Sequence, residues 1–175
     1  MIRYNKVSIA LHWLIGLMIF CAFPLGLYMA DLPLSPQKLQ YYSWHKWAGV
    51  SIFFLVMIRI LWRTWHKPPP PVTMPNWQRL AAEAVHYLLY ACMVIVPLSG
   101  WLMSSAKGFQ TVWFGVLPLP DLLDKNKELG ETLEEVHELL NWGMLGLVVA
   151  HVGAAFEHQF IKKDGLIGRM NPFAK

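Results

Sequence analysis

The stretch HELLNWGMLGLVVAH, residues 137–151, decides the fold because it places two histidines on one apolar helix. His137 and His151 are fourteen residues apart, which corresponds to about 21 Å along a helix axis and a residual rotation of about 40°. The two side chains therefore lie on nearly the same face at two depths. A histidine within an apolar span is costly unless it is paired or binds a cofactor, so each of the two needs a partner.

The composition is that of a membrane protein, since 55% of the residues are hydrophobic and 15% are charged, against about a quarter charged in soluble domains. Four apolar stretches occupy roughly residues 8–30, 42–65, 79–104 and 132–161. Each is long enough to cross a hydrocarbon core of about 30 Å as a helix. The sequence therefore predicts an all-α membrane protein, a four-transmembrane-helix bundle that forms one domain over residues 1–175.

The basic residues indicate how the bundle is oriented. They concentrate near the N-terminus, around the connection after the second span and in the C-terminal tail, and they are Arg3, Lys6, Arg59, Arg63, Lys67, Arg79, Lys162, Lys163, Arg169 and Lys175. Because loops rich in lysine and arginine stay on the cytoplasmic side, both termini are predicted to face the cytoplasm. The net charge of +4 then reflects topology, and nucleic-acid binding is not predicted.

The predicted orientation gives each histidine a depth in the membrane. His45 and His137 are the two histidines on the outer side, so they are predicted to pair with each other. On the inner side His151 has two possible partners, His12 and His86, and geometry gives only a modest preference for His12. The outer pair is therefore the better determined of the two.

Four buried histidines in two depth-matched pairs are typical of a membrane protein with two haems, one near each membrane face. Gly16 and Gly49 support this interpretation because each follows a histidine by four residues, where a missing side chain lets a haem approach the backbone. The alternative is that these small residues only pack helices in lipid. Cys21 and Cys92 form no CxxCH motif, so they are predicted to be buried apolar residues without covalent haem attachment.

Several segments resemble the bacterial cytochrome b561 family. They are LHW (11–13), HKWAG (45–49), VHYLLY (85–90), HELLNWG (137–143) and VVAHVGAAFEHQF (148–160). The family is related to the membrane cytochrome b subunits of formate dehydrogenases and nickel-iron hydrogenases. The resemblance extends over nearly the whole chain.

The resemblance implies a four-helix bundle in the bacterial inner membrane with two b-type haems, each held by two histidines. Carried onto this sequence, it assigns His12 and His151 to the inner haem and His45 and His137 to the outer haem. It thereby selects His12 over His86 as the inner partner. It further implies exchange of electrons with ubiquinone, and some members of the family are described as oxidising superoxide at the outer surface.

Two axial histidines leave no open position on a haem iron, so the predicted function is transmembrane electron transfer and not oxygen binding. In the first hypothesis the protein is an oxidoreductase that passes electrons from superoxide to ubiquinone. In the second it is a membrane anchor and electron conduit for a periplasmic redox partner, which would dock on the loop of roughly 105–131. The matched histidines disfavour a transporter or a purely structural membrane protein.

A group of polar residues toward the cytoplasmic end is the candidate quinone site, and it comprises His86, His158, Glu157 and Arg63. His158 is predicted to lie at the bilayer interface, where histidine can relay the protons that quinone reduction consumes. Arg59 and Arg63 are also candidates for pairing with haem propionates. The alternative is that all of these are ordinary interfacial groups without a ligand.

Overall fold

The computed structural model describes residues 3–173 and is built on four long helices. They are α1 (Lys6–Ala30), α2 (Pro36–Trp65), α3 (Asn76–Ala106) and α4 (Lys127–Phe156). Each helix packs against the next one in the sequence, and each contains a segment long and apolar enough to cross a membrane. The predicted four-helix membrane bundle is confirmed.

Local sequence signals explain where the helices begin and end. Asn5, Ser35 and Asn126 precede α1, α2 and α4, and the side-chain oxygen of each accepts a hydrogen bond from the N–H three residues later. The proline run at 68–71 follows α2, where it prevents the helix from continuing because proline lacks an N–H and restricts the residue before it. Beyond α4 the chain continues as a wider helical turn, Glu157–Lys162.

A short β-hairpin between α3 and α4 was not predicted. Its strands, β1 (Val112–Trp113) and β2 (Leu117–Pro118), pair in antiparallel register, with Trp113 opposite Leu117. We call the end of the bundle that carries this hairpin and the α1–α2 connection the hairpin end. The opposite end, where α1 begins and α4 finishes, is the termini end.

Aliphatic side chains from α1 and α2 form the centre of the bundle. Ile15, Ile52 and Val56 cluster there, and Val56 is completely buried. Many other large apolar side chains point outward, as expected for helices that contact lipid, and Phe20 is 76% exposed. Cys21, next to Phe20, is also exposed, so the prediction that both cysteines are buried was wrong for this residue.

Candidate cofactor site

His45 of α2 and His137 of α4 face each other in a central cavity near the hairpin end. Their ring centroids are 6.3 Å apart and their planes are nearly perpendicular, at 87°. The cavity contains about 440 Å³ of empty space, part of it open to the outside. All four helices line the cavity, mainly with apolar side chains such as Ile19, Met93 and Met144.

Backbone carbonyls hold both of these rings in a fixed orientation. Nδ1 of His45 lies 3.1 Å from the carbonyl oxygen of Ala22 in α1, and Nδ1 of His137 lies 3.1 Å from that of Val96 in α3. Ser99 Oγ is also 3.0 Å from Nδ1 of His137. If Nδ1–H donates to these oxygens, Nε2 keeps its lone pair, which is the arrangement found in metal-binding histidines.

Two glycines allow the rings to reach these carbonyls. A Cβ at Gly26 would lie 3.1 Å from Cε1 of His45, and a Cβ at Gly100 would lie 3.0 Å from Cε1 of His137. Carbon atoms in contact are about 3.5–4.0 Å apart. Any larger residue would therefore push the ring away from its carbonyl partner.

The importance of these two glycines was missed in the sequence, where Gly16 and Gly49 were selected instead. No atom of residues 3–173 lies within 4 Å of a Cβ placed at Gly16 or Gly49, and Gly49 lines the cavity that holds the two rings. A larger side chain at Gly49 would project into that cavity. A usable signal was present, because an in-helix proline, Pro24 or Pro97, precedes each missed glycine by two or three residues.

Three histidines meet nearer the termini end. The ring centroid of His151 is 6.1 Å from that of His12 and 5.2 Å from that of His86. Two imidazoles on opposite sides of one metal ion have centroids about 6.4 Å apart, since a metal–nitrogen bond is about 2.1 Å and the nitrogen is about 1.1 Å from the ring centre. The separation between the rings of His12 and His151 fits this value, and so does that between His45 and His137, which we call the hairpin-end pair. The ring of His86 is too close to that of His151 to fit it.

Two arginines of α2 surround one tyrosine of α3 in the same half of the bundle. Arg59 Nε donates to the Tyr90 hydroxyl at 2.8 Å, and the guanidinium groups of Arg59 and Arg63 lie 5.7 and 5.8 Å from the centre of the Tyr90 ring. These three residues and His66 line a second cavity. Its cationic lining suits an anionic group such as a carboxylate or phosphate.

Two of the predicted quinone residues are engaged elsewhere. His158 is buried, not exposed at the interface, because Asp164 pairs with its Nδ1, and Glu157 forms an ion pair with Lys162 at 3.1 Å. Burial alone would raise the pKa of the Asp164 carboxyl, but hydrogen bonds from His158 and the Leu166 N–H outweigh this and hold the pKa below its ordinary value. Neither predicted residue is among those that line the cavity beside Tyr90.

Comparison with known proteins identifies relatives along the whole chain. A family model described as Prokaryotic cytochrome b561 matches residues 3–172. Cytochrome b561 homolog 2 of Escherichia coli (strain K12) is 33% identical over 96% of this chain and 90% of its own length. Cytochrome b561 homolog 1 of the same strain is 30% identical over 99% of both chains. Probable superoxide oxidase CybB of Yersinia pestis is 28% identical over 97% of this chain and 96% of its own length.

The matched region contains all four apolar helices and both histidine pairs. These helices make the protein a multi-pass membrane protein. Members of the matched family bind b-type haem and transfer electrons across membranes. The chain therefore belongs to the prokaryotic cytochrome b561 family.

Proposed function

We propose that this protein holds two b-type haems, with His45 and His137 as axial ligands of one and His12 and His151 as axial ligands of the other. The hairpin-end pair carries the proposal, because its rings are 6.3 Å apart and each Nδ1 is bonded to a backbone carbonyl. A bound haem would supply a one-electron carrier at each depth. The two depths differ by fourteen residues of α4, or about 21 Å.

The residues around the hairpin-end pair prepare it for ligation. The carbonyl oxygens of Ala22 and Val96 keep a proton on Nδ1, so that Nε2 remains free and becomes a stronger ligand. The cavity around the two rings is lined mainly by apolar side chains. With one histidine on each side of the iron, no position would remain for oxygen, so the pair favours a one-electron centre.

At the termini end, the separation of the rings supports His12 as the partner of His151. His86 is then free to donate a hydrogen bond to a quinone carbonyl beside this haem. Arg59 and Arg63 would bind the haem propionates or orient the quinone head group. His158, which is hydrogen-bonded to Asp164 and does not line the cavity beside Tyr90, would act as a proton relay toward the quinone and not as a direct contact.

The overall reaction that we propose is the oxidation of superoxide by ubiquinone. Two superoxide anions lose one electron each and become two molecules of oxygen, while one ubiquinone takes up the two electrons and two protons and becomes ubiquinol. The name of the relative from Yersinia pestis supports superoxide as the donor. The basic residues around the termini support an inner-membrane orientation with both termini cytoplasmic and the hairpin end outside.

One lysine at the hairpin end is suited to attract a small anion. Lys46 directly follows His45, and its Nζ donates to the neutral carbonyl of Phe109 at 2.9 Å. The ammonium groups of Lys107 and Lys127, in contrast, are paired with glutamates. Among the described residues, Lys46 is therefore the one of these three lysines that has no ion pair within 4 Å, and Asp121 is the carboxylate that acts on it from farther away.

The experiment is to expose the purified protein to enzymatically generated superoxide and record haem reduction, then add a short-chain ubiquinone and record reoxidation. Both steps should proceed without another protein, and superoxide dismutase should abolish the first. Lys46→Gln should slow reduction at low ionic strength and approach the wild-type rate at high salt, because salt screens the attraction. Lys127→Gln is the matched control. Reduction only in the presence of a co-purifying periplasmic protein would contradict the proposal and favour the anchor and conduit function.

A further inference from the structure

We propose that residues 109–120, which contain the β-hairpin, form a re-entrant segment that lies in the hydrocarbon of the leaflet at the hairpin end. The segment reads FQTVWFGVLPLP and contains no charged residue. Its partner on the outward face would be lipid acyl chains. The inference depends only on the chain being a membrane protein, and neither the haem ligands nor the orientation of the bundle enters it.

Contacts with α2 draw the hairpin down along the bundle. Trp47 Nε1 donates to the carbonyl of Val112 at 2.6 Å, and Trp113 Nε1 donates to Ser51 Oγ at 3.2 Å. The Trp113 ring also packs against Phe54, with centroids 5.7 Å apart. The hairpin therefore lies beside α2 and not above the end of the bundle.

The depth of this contact can be worked out from the neighbouring helices. His45, two residues before Trp47, bonds to Ala22, which is eight residues before the end of α1 at Ala30. Eight helical residues correspond to about 12 Å. Ser51 lies six residues beyond His45 on α2, about 9 Å nearer the termini end. The contacts at Trp47 and Ser51 therefore lie about 15 and 21 Å from the level of Ala30, a depth at which a hydrocarbon core about 30 Å thick is expected.

The outward surface of the segment is mainly apolar, and Gln110 is an exposed polar residue at its start. Phe109, Phe114, Val116 and Leu117 are 61%, 58%, 83% and 51% exposed. The surface continues onto the outward face of α2, where Phe54 is 41% exposed. Exposed apolar surface of this kind marks a contact with another phase or molecule. Its continuity with a helix face that contacts lipid favours the membrane over a water-soluble partner.

Part of the polar backbone of the segment is hydrogen-bonded within the protein, which lowers the cost of placing it in hydrocarbon. Four of its carbonyl oxygens accept hydrogen bonds from side chains. The acceptors are Phe109, Val112, Leu119 and Pro120, and the respective donors are Lys46, Trp47, Gln110 and Trp101. Two further hydrogen bonds, Gly115 N–H to the Val112 carbonyl and Val116 N–H to the Trp113 carbonyl, close the turn.

The residue at the tip gives an independent indication. Phe114 has φ of 51° and is followed by Gly115 with φ of 72°. Asparagine or glycine is usual at the first of two such left-handed positions, because a bulky side chain is strained there. Asparagine would suit a tip in water, because it tolerates the left-handed conformation and is polar. An aromatic residue at this position is favoured when the tip contacts lipid, since the apolar contact offsets the strain.

The test is to measure the accessibility of a nitroxide label at Val116 in the full-length protein in lipid nanodiscs. Cys21 and Cys92 are first replaced by alanine, and labels at Val149, on the outward face of α4, and at Asp124, in the same connection, serve as lipid and water references. Oxygen should relax the Val116 label more than a water-soluble nickel chelate does, as at Val149. The Asp124 label should show the reverse order.

A Val116 label that behaves like the Asp124 label would place the hairpin in water and overturn the proposal. The visible spectrum of the bound haem reports whether each labelled variant is folded. If the Val116 variant does not fold, the same measurement at Leu117 decides between the two outcomes, because this neighbouring side chain also points outward.

Discussion

Replacing Gly100 with alanine should weaken binding of the haem at the hairpin end and leave the other haem unaffected. The new Cβ would lie 3.0 Å from Cε1 of His137, about 0.5 Å or more inside the contact distance of two carbon atoms. The ring cannot readily yield, because Val96 and Ser99 hold its Nδ1. Overpacking of this kind costs about 1–3 kcal/mol. Since each 1.4 kcal/mol is a factor of ten, haem affinity should fall about 5- to 150-fold.

The assay is the haem-to-protein ratio of the purified variant together with its reduced-minus-oxidised spectrum. Gly153→Ala is the matched control, because Gly153 is exposed and a Cβ added there would have no atom of the described part of the chain within 4 Å. It also lies sixteen residues after His137, about 160° around the helix. It should retain both haems. A Gly100→Ala protein with full haem content and an unchanged spectrum would refute the idea that close approach of the ring to its carbonyl positions this ligand.

Alanine at His45 or His137 should remove only the hairpin-end haem, whereas His86→Ala should retain both, and difference spectra of the purified variants measure this. Loss of the haem at the termini end in the His86 variant would show that the pairing of His12 with His151 is incorrect. Asp164→Asn should lower the Tm at pH 7, because a carboxyl whose pKa is depressed by folding stabilises the protein above its unfolded pKa of about 3.9. The difference in Tm between the wild type and the variant should shrink as the pH falls through the folded pKa of Asp164. Thermal unfolding at pH 7 and pH 3 measures this. A Tm difference that does not change with pH would show that the carboxylate charge is not the cause.

The helices could be predicted from the sequence because each one must contain a continuous apolar stretch long enough to cross the hydrocarbon core. The observed helices extend beyond the predicted apolar stretches, since Pro36–Trp65 and Lys127–Phe156 include polar turns that precede the apolar residues. The hairpin was not predicted because its strands are two residues long. What holds it in place is contact with distant residues such as Trp47, and no local pattern records such contacts.

The histidines of the candidate site could be selected because the helical period relates residue spacing directly to face and depth. The hydrogen-bond partners of the histidine rings could not be predicted from the sequence. Ala22 and Val96 are ordinary helix residues in the sequence, and they matter only because their carbonyl oxygens face a histidine on another helix. The burial of His158 likewise depends on Asp164, which reaches it only through the turn that follows the helix.

The haem content of the wild-type protein tests the central claim most directly. A pyridine haemochrome assay on protein of known concentration should give two b haems per chain, because four histidines at two depths supply four axial ligands. A redox titration of the same sample should resolve two one-electron components. One haem per chain, with a single component in the titration, would contradict the proposed pair of bis-histidine sites.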